Sequence, residues 1–184
     1  MVKSMHQDFD MIVRALPKKD APLYFISDVH YGIKEHMTDK WTAFCDGILE
    51  DSNAYIILGG DMINNGTRTS VSGPFEDILR PRDQKIAMAD MLKPLKDRII
   101  CCLPGNHEGR SGKDADDDPM YDIMCKLDLE DIYRENIASI KLNLGKKEDS
   151  VCYILTALHG TGGGIWTGAA VNRNERFGYT IDGT

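Results

Sequence analysis

The sequence predicts an α/β fold built in layers, with a largely parallel first sheet. Two observations support this prediction: short apolar runs end abruptly in polar residues or glycine, and amphipathic helical segments lie between these runs. Strands that alternate with helices are typical of sheets whose faces are covered by helices. In such sheets the ligand site lies beyond the carboxyl ends of the strands.

The predicted strands are apolar runs, many with β-branched residues, as is typical of buried strands. They cover residues 23–26, 55–58, 99–103 and 151–158, with a weaker alternating strand over 140–144. A helix with Thr38 or Asp39 as its N-cap is predicted from apolar residues at helical spacing between 41 and 49. A second helix should follow Pro81, and a shorter one should cover 120–129. Residues 64–77 and 109–119 are predicted loops.

Composition limits the function classes. The 184 residues carry a formal net charge of −7, so the broad basic face of a nonspecific nucleic-acid binder is not expected. The sequence contains no apolar stretch of membrane-spanning length and no signal peptide at its start. We therefore expect a cytoplasmic protein with no membrane partner. Residues 1–20 are expected to be an N-terminal appendage to a domain over 21–184.

Polar side chains with metal-binding chemistry follow four of the predicted strands. In chain order they are Asp28 and His30, then Asp61, then Asn106, His107 and Glu108, and finally His159. Taken singly, each has a structural explanation, such as a turn cap or a satisfied histidine. Together, carboxylate and imidazole groups suit divalent manganese, iron or zinc. Two such ions can clamp a phosphoryl group and activate a water molecule.

These motifs, Asp28-x-His30, Gly60-Asp61, Gly105-Asn106-His107-Glu108 and His159, resemble those of the calcineurin-like metallophosphoesterases. The resemblance covers about residues 23–160 and implies a two-sheet sandwich flanked by helices, with two divalent metal ions. It implies that Asp28 and His30 bind one ion, that Asn106 and His159 bind the other, and that Asp61 bridges both. His107 would not bind metal but would stabilise or protonate the leaving oxygen, which makes His107 and Asp61 the catalytic residues.

Three further residues are candidates for a supporting or substrate-binding role. Glu108 could orient His107 or a metal ligand, or it could be a solvent-facing loop acid. Asn64 lies three residues after Asp61, where the family often has Asp or Asn. Arg110 could contact phosphate, or it could be a solvated surface residue.

The sequence also departs from the family pattern. Asn64-Asn65-Gly66 stands where the protein-phosphatase branch has Asp-Arg-Gly, and no histidine follows His159, although the family normally ends its site with Gly-His-x-His. We therefore expect a C-terminally truncated domain with an incomplete second sheet and weak activity. The polar stretch 172–176 would precede the start of another strand near 179–181.

The predicted function is hydrolysis of phosphomonoesters or phosphodiesters by a metal-activated hydroxide, with a phosphate ester as substrate. Two alternatives remain open at the level of sequence. One is a metal-dependent nuclease of the same superfamily, acting on DNA or RNA. The other is a non-catalytic scaffold that keeps this fold.

Overall fold

The computed structural model describes residues 10–68, 70, 77–160, 175 and 178, and shows a mixed α/β fold with two small sheets and flanking helices. The strands are β1 (Ile12–Leu16), β2 (Leu23–Ile26), β3 (Tyr55–Leu58), β4 (Ile99–Cys102), β5 (Ala138–Leu144) and β6 (Val151–Ala157). The α-helices are α1 (Thr38–Glu50), α2 (Pro81–Leu92), α3 (Glu108–Ala115) and α4 (Pro119–Lys126). Short 3-10 helices cover Lys93–Arg98, Glu130–Ile132 and Lys147–Asp149.

The first sheet has the order β2-β3-β4, and both of its strand pairs are parallel. Its central strand is almost wholly buried, with Ile56 and Leu58 at 0% exposure, as expected for a sheet covered on both faces. The predicted parallel sheet is therefore confirmed. Because all three strands run the same way, the loops that follow them meet at one edge.

The second sheet has the order β1-β5-β6. Strand β1 is parallel to β5, and β6 is antiparallel to β5. Strand β1 lies within residues 1–20, the segment expected to be an appendage. It packs through Ile12 and Leu16, which are buried, whereas Val13 between them is exposed. A strand with so few buried residues gives a weak signal in the sequence.

Residues from both sheets and from the helices belong to one hydrophobic cluster. Ile12 and Ile140 of the second sheet share it with Ile56 and Leu58 of the first. Helix α2 adds Met88 and Leu92, each fully buried, to the same cluster. Burying one such side chain stabilises the fold by about 1.5–3 kcal/mol. This core holds the first sheet and α2 in fixed positions relative to each other.

The helix boundaries differ in detail from those predicted. Helix α1 begins at Thr38 with Met37 in the N-cap position, so the predicted cap at Thr38 or Asp39 is wrong; Asp39 lies in the first turn, where its charge complements the helix dipole. Helix α2 begins at Pro81, as predicted. In α4 the Asp118 side chain accepts the Tyr121 N–H (3.0 Å) and caps the helix.

The predicted loop over 109–119 is wrong for most of its length, because α3 covers 109–115 and α4 begins at Pro119, which leaves only 116–118 between the helices. The predicted features at 161–184, including the polar stretch, the strand near 179–181 and the truncated edge of the second sheet, lie outside the described residues, as does part of the loop 64–77. Within the described part of the chain, every helix is too short or too polar to cross a lipid bilayer.

Candidate metal centre

The candidate metal centre lies where the chain leaves the carboxyl ends of β2, β3 and β4. Beyond β2, the backbone continues to pair with the segment that follows β3. The Asp28 N–H donates to the Gly60 carbonyl (3.1 Å), and the His30 N–H donates to the Asp61 carbonyl (2.9 Å). The two loops therefore hold Asp28, His30 and Asp61 at one edge of the first sheet.

Two glycines let the loop after β4 approach the loop after β3. A Cβ on Gly60 would lie 2.4 Å from the backbone nitrogen of Gly105, and a Cβ on Gly105 would lie 2.1 Å from Oδ1 of Asp61. Main chain and the Asp61 carboxylate already occupy the space that any larger residue would need. The Gly-Asn-His-Glu segment therefore lies directly against the Gly-Asp segment.

Asp61 lies in the middle of the centre, close to three histidine side chains. The residue is 2% exposed, and its Oδ2 lies 3.5 Å from Nε2 of His159, 3.8 Å from Nε2 of His30 and 3.9 Å from Nε2 of His107. Its Oδ1 accepts the backbone N–H of His107 (2.8 Å). One carboxylate oxygen is thus fixed by the backbone, while the other faces three imidazole nitrogens.

Asp28 and Asn106 lie at the rim of this cluster, and both are exposed. Oδ1 of Asp28 is 3.8 Å from Nε2 of His30, and Oδ1 of Asn106 is 3.1 Å from Nε2 of His159. Nδ1 of His159 donates to the Gly59 carbonyl (2.7 Å). Such a bond holds an imidazole in the tautomer that leaves Nε2 available as a metal ligand. The structure thus brings together all five predicted ligands.

The ligand atoms form two overlapping groups. Those of His30, Asp61 and His107 lie within 4.8 Å of one another, and so do those of Asp28, Asp61 and His159. Two atoms bound to one zinc ion at about 2.0–2.2 Å lie roughly 3–3.5 Å apart, slightly less than the distances around Asp61. The mixed nitrogen and oxygen donors therefore suit divalent ions, and Asp61 belongs to both groups. His107 belongs to the first group by distance, whereas the resemblance implies that it is not a ligand.

Three of these residues have left-handed backbone conformations. The φ angles are 58° at Asp28, 48° at His30 and 53° at Asp61. This conformation costs about 1–2 kcal/mol for a residue with a side chain, and such strain is concentrated at functional sites. Here it turns the backbone sharply in the loops after β2 and β3, where Asp28, His30 and Asp61 lie at the centre.

Glu108 holds the loops after β3 and β4 together through its buried carboxylate. It is 1% exposed, and its Oε2 accepts the N–H groups of Asp61 and Gly105 (both 2.9 Å), while its Oε1 accepts the N–H of Ile63 (3.1 Å). Burial raises the pKa of this carboxyl group, and the N–H donors of Ile63 and Gly105 oppose the rise. Glu108 is therefore a buried acceptor that joins two loops, and not a solvent-facing acid.

His107 is bonded at both ring nitrogens. Its Nδ1 donates to the Asn64 carbonyl (2.8 Å), and its Nε2 accepts from Nη2 of Arg110 (2.9 Å). Burial is the largest cause of the lowered pKa of His107, and the charges of Arg110 and His30 lower it further. The His107 ring also meets the His30 ring edge to face, with 4.2 Å between centroids. Arg110 is thus part of the centre and not a solvated surface residue.

Residues that the sequence reasoning missed lie behind Asn64. The Asn64 side chain donates to Oδ1 of Asp77 (2.7 Å), and the backbone N–H of Asn65 donates to Oε1 of Gln84 (2.9 Å). Gln84 is 0% exposed. Its position four residues before Met88, on the buried face of α2, is the signal that could have revealed it, because amides seldom occupy such positions without a partner.

A cluster of carboxylates and imidazoles at the carboxyl end of a parallel sheet is typical of metal-dependent hydrolases. The family model described as calcineurin-like phosphoesterase matches residues 21–176. Since this match spans most of the chain, the protein belongs to the calcineurin-like phosphoesterase family, and the resemblance seen in the motifs is confirmed. No curated protein matches the chain significantly.

Proposed function

We propose that the protein is a dinuclear metal-dependent phosphoesterase that hydrolyses phosphomonoesters or phosphodiesters. Membership of the calcineurin-like phosphoesterase family suggests metal-dependent phosphoester hydrolysis. The observation that carries the dinuclear proposal is the approach of three imidazole nitrogens to one buried carboxylate, that of Asp61. Each carboxylate oxygen has two lone pairs, so Oδ2, the oxygen that the backbone leaves free, could serve two cations at once.

In this proposal Asp28 and His30 hold one cation, Asn106 and His159 hold the other, and Asp61 contacts both. Bound divalent cations such as manganese, iron or zinc would supply Lewis acidity and a nucleophile at neutral pH. The chain itself fixes the donors: the bond from His159 Nδ1 to the Gly59 carbonyl orients one imidazole. Asn106 contributes a neutral oxygen, which limits the negative charge around a phosphate substrate.

His107 and Arg110 act on the substrate in this proposal. Because Nδ1 of His107 donates to the Asn64 carbonyl, Nε2 is the nitrogen that would take up a proton from solvent, giving the imidazolium form, and pass that proton to the leaving oxygen. The guanidinium of Arg110 now contacts that Nε2, at 2.9 Å. A phosphoryl group would draw the guanidinium to its own oxygens, since planar guanidinium groups bind phosphate in two-point contacts. Nε2 would then be free to face the leaving group.

We propose that residues 21–184 form the catalytic domain, that strand β1 of the preceding segment adds to its second sheet, and that the two sheets are layered as a sandwich. The shared hydrophobic cluster, to which both sheets contribute, supports this arrangement. In this arrangement one core positions the four strand ends that the ligand candidates follow, namely those of β2, β3, β4 and β6.

Metal analysis and hydrolysis assays test the proposal. The metal-loaded protein should hydrolyse p-nitrophenyl phosphate or bis(p-nitrophenyl) phosphate, and it should bind two divalent ions per chain. Asp61→Asn should lower both metal content and turnover, the latter by more than about a hundredfold. Asp90→Asn, an exposed position in α2, is the matched control and should behave as the wild type. Normal turnover by Asp61→Asn would refute the proposal, and a wild type that binds no metal would favour the scaffold alternative.

A further inference from the structure

Gln84 is a buried amide whose polar atoms are all engaged. Its Oε1 accepts the Asn65 N–H (2.9 Å), and its Nε2 donates to Oδ2 of Asp77 (2.8 Å) and to the Leu79 carbonyl (2.7 Å). The residue is 0% exposed and lies on the core-facing side of α2. A buried amide of this kind costs free energy unless every bond is made, so the position is tightly specified.

Two of the loops that carry metal-ligand candidates, those after β2 and β3, pack against Gln84. A Cβ on Gly32, in the loop after β2, would lie 2.5 Å from the side-chain amide carbon of Gln84. The Gly32 carbonyl also accepts the Ile78 N–H (2.8 Å), next to Asp77. The loop after β3 is held through Asn65. Gln84 therefore contacts the loops that supply His30 and Asp61 without touching either side chain itself.

The contact with Asn65 reaches His107 through a single peptide group. The N–H of Asn65 and the carbonyl of Asn64 belong to the same planar peptide unit and point in opposite directions. The N–H is bound to Gln84 on one side, and the carbonyl accepts from Nδ1 of His107 on the other. Rotation of this peptide plane would break both bonds together.

Asp77 and Ser111 fix the flanks of the same peptide group. The Asn64 side chain donates to Oδ1 of Asp77 (2.7 Å), while the Asn65 side chain donates to the His107 carbonyl (2.9 Å) and to Oγ of Ser111 (2.8 Å). Bonds in such a chain polarise and strengthen one another in a buried environment.

We propose that Gln84 is a positioning residue for His107, acting through the peptide group between Asn64 and Asn65. By holding that plane it keeps the Asn64 carbonyl directed at Nδ1, which fixes the imidazole in one tautomer and one orientation. The inference rests on the proposed function in one respect, namely that His107 donates a proton to the leaving oxygen.

Gln84→Met tests this role, because methionine keeps the approximate volume and removes all three hydrogen bonds. In the metal-free wild type at about pH 8, where an ordinary imidazole is neutral, 15N NMR should show His107 as the single Nδ1–H tautomer. In Gln84→Met the share of this tautomer should fall, because only the Arg110 contact at Nε2 would still favour it. For an ester with an alkyl leaving group kcat should fall roughly tenfold or more with little change in KM, whereas p-nitrophenyl esters, whose leaving group needs no proton, should be affected much less.

Two further variants distinguish the loss of the Gln84 hydrogen bonds from a general destabilisation of the fold. Met88→Leu, one turn along α2 and equally buried, should leave the tautomer and the leaving-group dependence unchanged. Gln84→Glu combined with Asp77→Asn restores an acceptor for the Asn65 N–H. The buried acid at position 84, in its protonated form, can donate to the Leu79 carbonyl and accept from the side-chain amide at position 77, so the double variant should recover the wild-type NMR pattern. The same recovery is expected even if Gln84→Met fails to fold.

The outcomes separate the inference from the proposed function. An unchanged tautomer in Gln84→Met, or equal losses for alkyl and p-nitrophenyl esters, would overturn the positioning role while leaving phosphoesterase activity intact. Failure of the folded double variant to recover the single tautomer would overturn it as well. A wild type that hydrolyses no ester would refute the proposed function, and the NMR comparison would still decide whether Gln84 orients His107.

Discussion

Gly105→Ala should disable the metal centre although position 105 supplies no ligand. The new Cβ would lie 2.1 Å from Oδ1 of Asp61 and 2.3 Å from its backbone nitrogen, where real contacts of this kind stay beyond 3.0 Å. Relief therefore needs a displacement of about 0.9 Å. Neither group can yield easily, because Oδ1 accepts the His107 N–H and the nitrogen donates to Glu108.

The new Cβ in Gly105→Ala would displace the Asp61 carboxylate, around which the other candidate ligands lie. Misplacement of a reacting group by about 1 Å can cost on the order of a hundredfold in rate, and overpacking typically destabilises a protein by about 1–3 kcal/mol. We therefore expect Gly105→Ala to lose both metal affinity and kcat/KM, with the loss in rate exceeding what the loss of folded protein explains.

Calorimetric metal titration, steady-state hydrolysis and urea unfolding measure these effects separately. Gly109→Ala is the matched control, since it lies in α3 close by in sequence and a Cβ there meets nothing within 4 Å. That change should stabilise the protein by about 0.5–1 kcal/mol and preserve activity. Wild-type metal affinity and turnover in Gly105→Ala would show that the close contact does not position Asp61.

Two further predictions concern buried groups. Glu108→Gln replaces one acceptor oxygen by an NH2 group that faces backbone N–H donors, so urea unfolding should show a loss of about 1–3 kcal/mol; unchanged stability would contradict a supporting role. Burial raises the pKa of Cys45 to about 11 and that of Cys101 to about 12, whereas Cys152 is exposed. Iodoacetamide at about pH 8 should therefore label Cys152 and Cys125, which is also exposed, before Cys45, and Cys101 only after unfolding, as read by mass spectrometry. Equal labelling of Cys152 and Cys101 in the native protein would contradict this order.

The first sheet and the placement of the polar motifs could be predicted because their signals are local. Residues 55–58 form an unbroken apolar run, and Gly59-Gly60-Asp61 follows it directly. In a parallel sheet the direction of each strand determines which loops meet, so strand ends that are far apart in sequence become neighbours. Knowledge of the strands was therefore enough to place Asp28, His30 and Asp61 at one edge.

Elements whose stability depends on distant partners could not be predicted in this way. Helix α3 contains Gly109 and Gly112, each unfavourable in a helix by about 1 kcal/mol relative to Ala, and contacts such as that between Ser111 and the Asn65 side chain (2.8 Å) support it. Gln84 likewise acts across 19 residues on Asn65. The spacing to Met88 marks Gln84 as buried, but no periodic pattern in the sequence identifies its hydrogen-bond partner.

The left-handed conformations of Asp28, His30 and Asp61 have a consequence for engineering of the protein. Glycine adopts this backbone geometry without steric cost, so replacing any of the three by Gly would relieve strain while deleting a candidate ligand. A library screened only for heat resistance would therefore tend to enrich variants that have lost the centre. Directed evolution of a more thermostable variant should therefore select for metal binding as well as for stability in every round, so that variants without the ligands are removed.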